Sequence, residues 1–186
     1  MPLTTLRRHH LSSTMEQIMA QEKTLHDLFV DTLKDIYFAE RHILKALPKM
    51  AKAAQNDQLI EAFLHHLDET EGQIQRIEDI FEMMSKPARG KTCDAIMGLL
   101  EEGKDIMSEF NGAPALDAGL VSSAQAVEHY EIARYGTLRV WAKELELKKA
   151  VPLLEQTLKQ EHAANQLLTK LAEGGLNQKA DVEEQA

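Results

Sequence analysis

Residues 85–114 read SKPARGKTCDAIMGLLEEGKDIMSEFNGAP, and the way this stretch divides decides the fold. Its two ends are turn chemistry, with Pro87 and Gly90 on one side and Asn111–Gly112 and Pro114 on the other. Between them DAIMGLLEEGKDIMSEF, residues 94–110, has the spacing of a short helix. The stretch is therefore a connector of about 30 residues carrying one helix. Long helical patterns lie on both sides of it. Before it, the spacing predicts helices over 24–55 and 57–84. The first has Leu25, Leu28, Phe29, Ile36, Ile43 and Leu47 on its inner face; the second has Ile60, Phe63, Leu67, Ile74, Ile77 and Phe81. After it come helices over 115–146 and 148–173, the last closed by Gly174–Gly175 as a C-cap. Pro48 is expected to kink the first helix, whereas Pro152 falls in the first turn of the last, where proline is tolerated.

Helices joined by short turns are antiparallel neighbours, and simple up-down bundles need no long connection. Two helices, a long crossover and two more helices predict an all-α chain. The expected architecture is a ferritin-like four-helix bundle with a short extra helix in the crossover between helices 2 and 3. Residues 23–174 form that bundle, 1–22 a flexible N-terminal extension and 175–186 a flexible C-terminal tail. Strand-like alternation is nearly absent, and aromatics at only 5% fit a composition dominated by helix formers.

Charge and cysteine usage exclude several function classes. A net charge of -9 opposes nucleic-acid binding and docking on anionic lipid, both of which rest on cationic surfaces. No apolar run approaches the roughly 20 residues a membrane helix needs, and no apolar stretch follows Arg7–Arg8 as in a secretory signal. The single cysteine, Cys93, permits no internal disulfide or cysteine cluster; a cytoplasmic location is expected. Neither a phosphate-binding glycine loop nor a serine elbow is present, and Cys93 has no base beside it.

The helix faces hold intruders. Glu40 lies four after Ile36 and three before Ile43 on the inner face of helix 1. AQAVEHYEIARYGTL, residues 124–138, places Glu131 on the stripe through Ala124, Tyr135 and Leu138, with Glu128 towards its edge. Glu161 lies between Leu158 and Leu168 on the last helix. In helix 2, His66 and Glu71 flank the apolar centre, Glu71 being the favoured inward residue, while Glu69 points away into solvent. His26 and His42 read as surface residues, and His129 and His162 point aside from the acids. One such acid is ordinarily a boundary residue whose head reaches water. Four meeting at one level of a bundle are costly unless a cation offsets them, and carboxylates with a histidine from facing helices are the ligand set of di-iron and di-manganese bundle sites.

TLHDLFVDTLKDIYFAERHILKALPKMA (24–51), HLDETEGQIQRIEDIFE (66–82), AVEHYEIARYGTLRVWA (126–142) and TLKQEHAANQLLTKLA (157–172) closely resemble the YciF-like family of bacterial ferritin-like stress-response proteins. The likeness implies a dimerising helical bundle that binds iron or a related metal. It places the family's acids on Glu40, Glu71, Glu131 and Glu161, with His66 also matching. Two metal ions are thus expected, iron or manganese, held among Glu40, His66, Glu71, Glu128, Glu131 and Glu161, with a small oxidant such as dioxygen or peroxide as reaction partner. The chain departs from the family's pattern at Gln160 and Asn165. It also has Ile74 three after Glu71 and Ala164 three after Glu161, where a histidine would complete a Glu-x-x-His pair. These departures motivate a rival expectation, a metal-free dimeric interaction protein without catalytic activity.

Overall fold

A computed structural model describes residues 22–181. The expected N-terminal extension therefore lies almost wholly outside the described residues, as do the last five of the tail. The elements are α1 (Leu25–Ala53), α2 (Asp57–Met83), α3 (Asp94–Glu109), α4 (Leu116–Glu144), α5 (Ala150–Leu171), a wide turn over Ala172–Leu176 and a short α6 (Asn177–Ala180). There is no strand among the described residues.

Local chemistry sets the boundaries. Thr24 caps α1 reciprocally with Asp27, the hydroxyl accepting from the Asp27 N–H and the carboxylate from the Thr24 N–H. Asn56 caps α2 by accepting from the N–H groups of Gln58 and Leu59. The helix α1 runs unbroken through Pro48. At the end of α2 the Ser85 N–H donates to Glu82 O and the Lys86 N–H to Phe81 O, with Ser85 left-handed at φ 53°. The end of α4 repeats this with Glu146 at φ 55° and the Leu147 N–H on Ala142 O. Both are six-to-one helix endings built without the usual glycine.

The long helices close a ring: α1 packs on α2, α2 on α5, α5 on α4 and α4 on α1. The Gln55 N–H donates to Asp117 Oδ1 at 2.8 Å, which sets the end of α1 beside the start of α4. At the other end of the bundle, Ile80 and Met84 border the same hollow as Lys148 and Ala150. The crossover therefore travels the length of α2, about 40 Å for a helix of this size. Its α3 lies on α1 and α4. Contact with α4 is close because Gly119 has no side chain: a Cβ there would stand 2.7 Å from Ile106 Cγ2.

The core runs through Phe29, Leu33, Ile36, Leu59, Ile77, Phe81, Leu120, Tyr135, Leu138 and Leu154. Leu28, expected inward, is 48% exposed. The packed body also continues past Gly174. Gly175 takes φ 124°, open only to glycine without strain, and the turn seats Leu176 in the core.

Candidate metal centre

One level of the bundle interior is polar. Glu40 of α1, His66 of α2, Glu128 and Glu131 of α4 and Glu161 of α5 are all at most 5% exposed. Each sits on its helix's buried stripe: Ile36–Glu40–Ile43, His66–Thr70–Gln73–Ile77, Ala124–Glu128–Glu131–Tyr135 and Leu158–Glu161–Leu168. One donor atom from each of His66, Glu128, Glu131 and Glu161 lies within 4.8 Å of the others. His66 Nε2 is 3.4 Å from Glu128 Oε1 and 3.7 Å from Glu161 Oε2. Glu40 adjoins the same group through the field it shares with Glu131.

Three of the expected placements change. Glu71 is exposed on α2, more than a quarter of a helical turn past the buried Thr70, and takes no part in the cluster. Its expected inward position belongs to Gln73, fully buried, whose amide Nε2 donates to Glu161 Oε1. Glu128, expected at the edge, is 3% exposed and as central as Glu131.

Glu69, expected in solvent, turns back towards His66, with Oε2 3.6 Å from Nδ1. Its other oxygen accepts from Gln160 Nε2 at 3.1 Å, and Arg76 bonds both Gln160 and Thr157, so α2 and α5 are tied beside the cluster. The Tyr135 hydroxyl donates to Glu40 Oε1. Sequence reading passed over Glu69, Gln73 and this role of Tyr135. The usable signal was the i, i+3 spacing of His66 and Glu69, which puts them on one side of α2. His129 and His162 are exposed, as expected. Cys93 is buried, its Sγ 3.1 Å from the Tyr130 hydroxyl, away from the cluster.

Electrostatics follow from burial. Desolvation raises the Glu40 carboxyl from 4.5 to about 7 despite the hydrogen bond from Tyr135, which opposes the rise. Burial and the neighbouring acids Glu40, Glu161 and Glu128 hold Glu131 well above the carboxylate range, and Glu161 is raised in the same way. Glu128 is raised chiefly by burial, with His66 opposing. Burial pushes His66 down, but Glu69, Glu128 and Glu40 more than offset it and leave it raised.

Among the described residues, nine buried side-chain nitrogen or oxygen atoms have no hydrogen-bond partner, and eight of them belong here: Glu40 Oε2, both His66 nitrogens, Gln73 Oε1, Glu128 Oε2, both Glu131 oxygens and Glu161 Oε2. The residues therefore offer a converging set of hard oxygen donors and one imidazole, with Glu40 Oε1 held by Tyr135 and Glu161 Oε1 by Gln73.

A family model described as a domain of unknown function (DUF892) matches residues 24–181, nearly all of the described chain. The chain belongs to this family. It is 42% identical over 160 residues to Protein YciF of Escherichia coli (strain K12), a match covering 86% of this chain and 96% of that protein. The crystal structure of the E. coli stress protein YciF superposes with a TM-score of 0.80 at 41% identity, covering 84% of this chain and 99% of that one. YcfI of Rhodopseudomonas palustris, provisionally described as a structural protein, gives a TM-score of 0.78 at 43% identity, covering 82% and 97%. The resemblance read from the sequence is thus confirmed at the level of family and of an all-helical fold. No described helix is long and apolar enough to cross a membrane.

Proposed function

We propose that the chain is a ferritin-like four-helix bundle whose core carboxylates hold two metal ions, iron first and manganese as the alternative, in a cytoplasmic bacterial stress protein that acts as a homodimer. The observation that carries this reading is the concentration of unpartnered buried donors at one level of the bundle. A protein interior ordinarily pairs such groups, because leaving one bare costs on the order of 1–3 kcal/mol, and more for a charge. The donor chemistry fits the group: carboxylate oxygens and a single imidazole suit iron and manganese. Four ionised carboxylates also carry the charge that two divalent cations balance. The crossover connectivity and the inward acids from facing helices support the same reading.

Glu131, with both oxygens free and Glu40, Glu128 and Glu161 around it, would hold the ions at the centre of the cluster. Glu40, Glu128, Glu161 and His66 would complete their coordination. Bound iron supplies one-electron redox chemistry of the kind that reduces a small oxidant such as dioxygen or peroxide.

The chain's own residues orient the donors. Tyr135 occupies Glu40 Oε1 and leaves Oε2 free; Gln73 does the same for Glu161. Glu69 Oε2 faces His66 Nδ1 at 3.6 Å, and its charge favours a proton on that nitrogen, which would leave the Nε2 lone pair towards Glu128 and Glu161. Gln160 and Arg76 in turn hold Glu69. Because the acids keep protons when buried without a cation, metal uptake would release protons.

Loading the purified chain with Fe(II) under anaerobic conditions and counting metal tests the reading. About two ions per chain are expected, with a large loss in Glu131→Ala. A ratio near zero for the unaltered chain would end it. Light scattering of the same sample reads the dimer.

A further inference from the structure

One helical turn from the acids the bundle changes character. Ala62 lies four residues before His66, Ala124 four before Glu128 and Ala164 three after Glu161. Three helices thus present a methyl group where the same stripes carry Phe63, Leu120, Leu138, Leu158 or Leu168 elsewhere. These alanines line one cavity of about 130 Å³, with Phe63, Val127 and Leu168 as further walls and His66, Glu69 and Glu128 as its polar lining towards the acid cluster. The cavity is open enough at the α2–α5 side for His65 and Leu167, the latter 39% exposed, to border it. The opposite side of the acid cluster is filled by Tyr135, Gln73 and Leu158, so the hollow is one-sided.

Packed interiors rarely leave a void of this size, and its cost comes from the contacts its lining loses. A cavity of about 150 Å³ with an apolar lining, made in an unrelated protein, stays dry and takes up benzene. The volume here is of that order, and between His65 at the mouth and His66, Glu69 and Glu128 further in, the wall is apolar. Most of the wall is hydrocarbon, and a charge lodged against it would be buried without a partner, so a neutral ligand fits the hollow better than a charged one.

We infer that this cavity binds a small, neutral, apolar molecule, the size of one aromatic ring or a short alkyl chain, with one end against His66 and Glu128. Its standing as the substrate pocket of a metal centre rests on the proposed function above; the binding itself does not.

The test is a titration of the full chain with benzene, read by NMR on alanine-methyl-labelled protein, metal-free and Zn(II)-loaded, with metal counted on the same samples. Saturable shifts of the Ala62, Ala124 and Ala164 methyl signals are expected in both forms, with benzoate and benzylamine inert. Filling the hollow by Ala124→Leu should weaken benzene binding by about tenfold or more while the chain still takes up metal. Ala164→Leu reads the same effect from α5 if Ala124→Leu does not fold. Absence of saturable shifts in the unaltered chain, tighter binding of benzylamine than of benzene, or undiminished binding in the filled variants would each overturn the inference. Benzene binding without metal uptake would uphold the cavity and remove the metal reading; metal uptake without benzene binding would do the reverse.

Discussion

Replacing Glu40 by Gln should stabilise the metal-free protein at neutral pH and flatten its pH dependence. Glu40 is fully buried, and its carboxyl rises from 4.5 to about 7, with burial as the main cause. A group raised in this way binds its proton more tightly folded than unfolded. The folded state then holds more protons than the unfolded one between those two values, so stability falls as pH rises from about 4.5 to about 7. Over that window the loss amounts to about 3 kcal/mol, taking about 1.4 kcal/mol for each tenfold change in proton affinity. Gln cannot ionise, yet its amide oxygen can still accept from the Tyr135 hydroxyl. The perturbation therefore removes the ionisation and keeps the hydrogen bond.

The assay is urea unfolding after chelation, at pH 4.5, 5.5, 6.5 and 7.5, on both proteins. The difference between the two curves cancels surface groups such as Asp27 and Glu155, whose lowered carboxyls give the opposite slope. Near pH 4.5 the variant should match the unaltered chain within about 1 kcal/mol, and by pH 7.5 it should exceed it by about 3 kcal/mol. The raised Glu128, Glu131, Glu161 and His66 act with the same sign, so the unaltered chain's own curve should descend with pH. A difference curve that is level across the range, or one in which Glu40→Gln loses stability at pH 7.5, would refute the reasoning.

Glu69→Gln should weaken metal binding by about 10–100-fold, since it releases His66 Nδ1, whereas Glu71→Gln should leave binding unchanged; competitive titration against a chelator separates them. Ser85→Gly and Glu146→Gly should each stabilise the fold by up to about 1 kcal/mol in thermal unfolding, because both residues take a left-handed backbone without a partner in need of their side chains. Thr24→Ala should cost about 1 kcal/mol through loss of the reciprocal cap at the start of α1, read by the same unfolding measurement.

The helix order and the crossover were legible because punctuation and period agree there: Pro87, Gly90 and Asn111–Gly112 bracket α3, and the long helices keep their apolar spacing. Glu40, Glu131 and Glu161 were legible for a related reason, since each interrupts an otherwise apolar stripe. The stripe of α2 was not. Its buried line runs through His66, Thr70 and Gln73, polar residues that carry no apolar signal, while Leu67 and Ile74 are only half-buried flanks. Hydrophobicity therefore pointed the face about one residue off and drew Glu71 inward in place of Gln73. Glu69 was hidden similarly, because a boundary acid shows its role only when the histidine beside it is known to be buried. The two helix ends at Ser85 and Glu146 were blurred by the absence of glycine, their left-handed turns being held instead by backbone hydrogen bonds.

The central claim, that the inward acids exist to hold two metal ions, is tested most directly by a crystal structure of the Fe(II)-loaded chain with anomalous scattering measured on both sides of the iron edge. Two edge-dependent peaks are expected among Glu40, His66, Glu128, Glu131 and Glu161. Refined crystals in which those carboxylates pair only with one another or with water, with no edge-dependent peak between them, would contradict it.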